Sequence, residues 1–142
     1  MLAVLDTDHL SIMQERNQPD WDRLQSRLAQ QPADEIAFSI VSFQEQAQGW
    51  LSWINSSKKG HQVVKGYTRL LDLITKFRQV TVLPFDLPSQ QRFEHLSTLR
   101  LRIGTLDLRI AAIALANQAT LLSRNSRDFS KVPGLRVEDW TR

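Results

Sequence analysis

Cysteine is absent from the 142 residues, which removes disulfides, thiolate metal ligands and a cysteine nucleophile. Long apolar runs are missing as well. No stretch approaches the roughly 20 residues of a membrane span, and the opening MLAVLDTDHLS turns polar too early for a signal peptide. A soluble, cytoplasmic protein without membrane attachment is the expectation. His9, His61 and His95 show no ligand spacing, and His-x-x-x-His does not occur. Neither Gly-x-Gly-x-x-Gly nor a loop ending in Gly-Lys-Ser/Thr is present, which counts against kinase or nucleotide-driven motor chemistry. With no repeat, low-complexity tract or linker, residues 1–142 read as one domain, long enough to bury its own core.

Charge is mildly positive: 18 Lys and Arg against 15 Asp and Glu give +3. The balance alone does not identify a polyanion partner. Its distribution is uneven, because from His95 to Arg127 the only acid is Asp107, among Arg100, Arg102, Arg109, Arg124 and Arg127. A lone carboxylate in such a stretch fits a site that holds metal and phosphate together, and it equally fits a solvated basic face.

Apolar periodicity supplies the elements. Leu2–Leu5, Ile36–Phe38, Val80–Leu83 and Thr120–Ser123 are short runs expected to form strands, with Leu135–Val137 a fifth at an edge. Between them, apolar residues recur at helical spacing, as in Val63, Val64, Tyr67, Leu70, Leu71, Ile74 and Phe77. The segment Leu106–Ala119 is apolar nearly all round, and its alanines allow a neighbouring backbone to approach, so it reads as a central helix. Strands alternating with helices predict an α/β fold: a parallel sheet of four to five strands with helices on both faces.

Four acids, Asp6, Glu45, Asp107 and Asp128, fall where a strand ends or a helix begins. In a parallel α/β sheet these positions converge on one edge. Several acids gathered there repel one another unless a divalent cation sits between them, which is the arrangement a metal-dependent phosphodiesterase uses. Each has a plainer use. Asp6 suits a helix cap, although Thr7 or Asp8 can also cap the helix that follows. Glu45 closes a capping box with Ser42, or, if the helix starts at Ser39, lies one turn in and faces the sheet edge. Asp107 suits the positive end of a helix. Asp128 can cap a short turn or pair with Arg, and Asn125 is an alternative ligand from the same loop.

The segments LAVLDTDHLS, SIVSFQEQAQGW, IGTLDLRIAAIALA and SRNSRDFSKVPGLRVEDW together resemble the PIN-domain nucleases, in particular the VapC-type toxins of bacterial toxin–antitoxin pairs. The resemblance runs in order along nearly the whole chain. It implies one PIN domain over residues 1–142, a metal-dependent endoribonuclease. It also implies a catalytic set of Asp6, Glu45, Asp107 and Asp128, with Asp6 and Asp107 as direct metal ligands. Hard oxygen donors without His or Cys favour Mg²⁺ or Mn²⁺. The partners implied are an RNA substrate, a cognate antitoxin protein and a second copy in a homodimer. Where this chain has Asp8 the family often has Asn or Ser, so Asp8 stays outside the core set. Trp50, Leu51, Trp53 and Ile54 are candidates for a partner surface, and two Trp three apart on a helix equally suit partial burial.

Thr7, Ser39, Thr105, Ser123 and Asn125 are candidates for orienting the carboxylates, and Arg124, Arg127, Lys58 and Lys59 for holding an RNA backbone. Two rival readings stand beside this one. Asp6–Thr7–Asp8 after an apolar strand also looks like the opening of a haloacid-dehalogenase-type phosphatase with Asp6 as nucleophile. The fold can also serve as an inactive RNA- or protein-binding domain.

Overall fold

A computed structural model describes residues 1–142. In chain order the elements are β1 (Ala3–Leu5), α1 (Thr7–Glu15), α2 (Asp20–Leu28), a 3₁₀ turn (Ala33–Glu35), β2 (Ile36–Ser39), α3 (Ile40–Ser56) and α4 (Gly60–Arg78). They continue with β3 (Thr81–Leu83), α5 (Leu87–Thr98), α6 (Thr105–Ala116), β4 (Thr120–Leu122), α7 (Ser126–Phe129) and β5 (Arg136–Glu138). The five strands form one sheet in the order β3-β2-β1-β4-β5, every pair parallel.

Burial on both faces explains why the central strand β1 is apolar throughout. Val4, Ala37 and Leu121 enter the core under α5 and α6, together with Leu96, Leu108 and Ile110 through Ala114. Their neighbours Ala3, Leu5, Phe38 and Leu122 enter the opposite core with Leu10 and Ile12 of α1, Leu24 of α2, and Leu73 and Phe77 of α4. A strand buried on both faces has no polar positions to spare. Ala111, Ala112 and Ala114 of α6 are fully buried, as a central helix requires. That helix ends earlier than its apolar pattern does. Asn117 returns its amide to the Ile113 carbonyl, and Gln118 takes a left-handed backbone (φ 52°) that turns the chain into β4.

The strand order reverses at β1, with β2 on one side and β4 on the other. Such a reversal opens a crevice beyond the carboxyl ends of the two strands, because the connections leave in opposite directions. The Asp6 amide donates to the Leu122 carbonyl at 2.8 Å, so the pairing of β1 with β4 runs right up to this point. The helices α1 and α3 leave the sheet from this edge. The helix α6 runs back from it to β4, so its first turn also lies there.

Candidate metal centre

Asp6 is the first residue beyond β1 and is 6% exposed. It caps α1 itself, accepting the Thr7 amide on Oδ1 at 2.8 Å. The expectation that Thr7 or Asp8 caps the helix is therefore corrected: Asp6 occupies the extended position at the strand end, and the other two lie inside the first turn. Its second oxygen accepts the Ser123 hydroxyl at 2.7 Å from the end of β4.

Glu45 resolves the choice left open by the sequence. The cap of α3 is Ser39, whose hydroxyl accepts the Ser42 amide at 3.1 Å. Ser42 is inside the helix, so no capping box forms and Glu45 is released toward the strand edge. There its Oε1 accepts the Thr7 hydroxyl at 2.9 Å. Asp107 stands in the first turn of α6. The preceding loop places Arg100 and Arg102 in left-handed backbone (φ 53° and 60°), conformations that residues other than glycine adopt rarely.

One oxygen or more from each of Asp6, Glu45 and Asp107 lies within 4.8 Å of the others. None of the three pairs with Lys or Arg. Their acidity shows the strain of that gathering. Burial, then the charge of Asp8, pushes the Asp6 carboxyl up to about 7. Burial also raises Glu45, aided by the charge of Asp107, and it raises Asp107, aided by Asp128 and Asp8. Three half-buried or buried carboxylates without a counter-charge are a poor arrangement for an empty surface and a good one for a hard divalent cation. The residues fit such an ion.

Asp128 is not gathered with the other three. It stands beside Asp107, near enough to raise it, but its own partners are Asn125 at 3.2 Å and the Lys131 ammonium at 3.4 Å. The Asn125 amide, with Lys131 and Arg127, holds its pKa below the usual carboxylate range. Of the orienting candidates, Thr7 and Ser123 touch the acids directly, Ser39 acts through the cap, Asn125 serves Asp128, and Thr105 opens α6. Arg124 is drawn off to Asp20 at 3.0 Å, and Arg109 lies over the Phe93 ring, 5.4 Å from its centroid. Arg127, Lys58 and Lys59 form no ion pair. Trp53 is committed to the α3–α4 hairpin, donating from its indole to the Gln62 carbonyl at 2.8 Å. Sequence reasoning missed the role of His9, fully buried directly after Asp8. Its place among Leu10 and Ile12 on the apolar side of α1 was the available signal.

The PIN-domain model matches residues 3–135. The chain belongs to the PIN-domain family. A curated relative, ribonuclease VapC1 of Haemophilus influenzae, is 29% identical over 150 residues, covering all of both chains. Ribonuclease VapC2 of Rickettsia felis is 45% identical over 38 residues, 27% of this chain and 28% of that one. Among solved structures, VapBC-1 of nontypeable H. influenzae shares the fold with a TM-score of 0.76 at 23% identity over all of both chains. PIN membership leaves the phosphatase reading without support, and no Lys accompanies Asp6 as that reading needs.

Proposed function

We propose that this PIN-domain protein is an Mg²⁺- or Mn²⁺-dependent endoribonuclease and the toxin of a toxin–antitoxin pair. One observation carries the reading: three acids from β1, α3 and α6 meet at the strand-order reversal with no cation of the protein's own among them. The full-length similarity to a protein named ribonuclease VapC1 supports RNA as substrate. The alternative of an inactive binding domain gives no reason for an uncompensated acid group that raises the pKa of all its members.

Asp6, Glu45 and Asp107 hold the cation, with Asp6 and Asp107 as direct ligands. When bound, the ion makes water more acidic and offsets charge accumulating on the phosphate under attack. The remaining work falls to the chain. Ser123 and the Thr7 amide fix both oxygens of Asp6, so its carboxylate is aimed before the ion arrives. The Thr7 hydroxyl does the same for Glu45. Asp128 acts at the rim, where its charge bears on Asp107 and faces incoming substrate. Exposed Arg127, with Lys58 and Lys59 further off, binds the RNA backbone and makes cleavage salt-sensitive.

An antitoxin and a second copy of the chain are the proposed protein partners. In support, α4 leaves Val64, Tyr67, Leu71 and Ile74 exposed along one side, and Leu51 is exposed on α3. A toxin–antitoxin complex from Klebsiella pneumoniae contains a chain of the same fold. No helix is long and apolar enough to cross a membrane, and the cytoplasm, where RNA is met, is the proposed location. Incubating the purified protein with total RNA, with Mg²⁺ or with a chelator, tests the reading. Cuts at defined positions only with Mg²⁺ are expected. Equal cutting in chelator, or none in either, overturns it.

A further inference from the structure

His9 is 0% exposed, and both of its ring nitrogens are engaged. The backbone amide of Trp140 points at Nε2 from 3.0 Å. An amide can only donate, so Nε2 is the unprotonated nitrogen and Nδ1 carries the hydrogen. That Nδ1–H donates to Asp8 Oδ1 at 2.8 Å. The other oxygen of Asp8 accepts the Arg124 amide at 2.9 Å and lies 3.3 Å from the Ser123 hydroxyl, the same hydroxyl that binds Asp6. Asp8 is thus held from two sides, by His9 of α1 and by Ser123 and Arg124 at the end of β4, while the C-terminal segment fixes His9. No Lys or Arg side chain is paired with it.

Asp128 offers the contrast. It has an ammonium partner in Lys131 at 3.4 Å, and its charge bears on Asp107 alone, whereas that of Asp8 bears on both Asp6 and Asp107. We propose that Asp8, clamped by His9 in the tautomer that Trp140 imposes, is the fourth negative charge holding the cation. It stands just outside the carboxylates of Asp6, Glu45 and Asp107, and His9 is its positioning residue. The clamp matters because a carboxylate on the first turn of a helix has free rotamers toward solvent, and a hydrogen bond from a buried, tautomer-locked ring removes them. This rests on the acid edge being a cation site.

Calorimetric titration with Mn²⁺ alone, without RNA, tests it on wild type, Asp8→Asn, Asp128→Asn, His9→Asn and His9→Gln, with Asp107→Asn as control. Asparagine at position 9 places an amide N–H where Nδ1 was. Glutamine instead places an oxygen near Nε2 and keeps only the tie to Trp140. The expected order is loss of detectable binding in Asp107→Asn, and about tenfold or greater weakening in Asp8→Asn. His9→Gln should weaken in the same direction, while His9→Asn and Asp128→Asn stay within about threefold of wild type. Melting in chelator verifies that each variant folds, and if the His9 variants do not, Asp8→Asn against Asp128→Asn still decides. Wild-type affinity in Asp8→Asn, or equal weakening in Asp128→Asn, overturns the proposal while leaving the cation site standing. Absence of Mn²⁺ binding by wild type overturns both.

Discussion

Asp6 and Asp128 follow neighbouring strands, yet the fold treats them in opposite ways. Asp6 is enclosed, surrounded by other acids and raised to about 7. Asp128 lies at the rim with an amide and an ammonium of its own and is lowered. An acid with a built-in counter-charge is complete without a ligand. An acid whose neighbours share its sign stores unfavourable energy until a cation arrives. The difference separates the proposed cation site from its border, although both residues look alike in sequence.

Substitution gives the largest contrast. Asp107→Asn keeps the side chain's size and removes its charge, and RNA cleavage should fall at least about 10³-fold with the fold intact. Asp128→Asn should lower it only about tenfold, since the residue works at the rim. Gel assays on one RNA compare the two directly, and equal losses would erase the distinction.

Stability against pH sharpens it next. A carboxyl raised in the folded state binds its proton more tightly there than in the unfolded chain. Folding is therefore favoured at low pH, and that contribution is lost as pH rises from about 4 through about 7. For Asp6 the loss is on the order of 4 kcal/mol, and Glu45 and Asp107 act in the same direction. Protein in chelator should melt higher at pH 5 than at pH 8, and Asp6→Asn should flatten that slope. Mn²⁺ at pH 8 should recover the lost stability. The smallest effect concerns the rim. Lys131→Ala should let Asp128 return toward its ordinary acidity, seen by carboxyl carbon NMR, while cleavage stays within about threefold.

Much of this was legible in the chain itself. Strands buried on both faces are largely apolar, so the runs Leu2–Leu5 and Thr120–Ser123, alternating with helical patterns, announced a parallel sheet, and parallel strands send their ends to one edge. The acids after those strands could then be grouped. The choice of cap was not legible, because Ser39 and Ser42 both precede apolar residues and only the strand's length decides which stays extended. Nor was the direction in which each acid points. Asp8 and Asp128 were separable only once His9, Lys131 and Asn125 had places in space. Arg124 looked like a phosphate contact from its position near Asp128, and its commitment to Asp20 is a contact across more than a hundred residues that no local pattern encodes.

Diffraction from crystals soaked in Mn²⁺, with an anomalous map calculated at the manganese edge, tests the central claim most directly. The account predicts a peak within direct bonding distance of oxygens from both Asp6 and Asp107. A map with no peak there, or with its only peak beside Asp128 and Lys131, would contradict it.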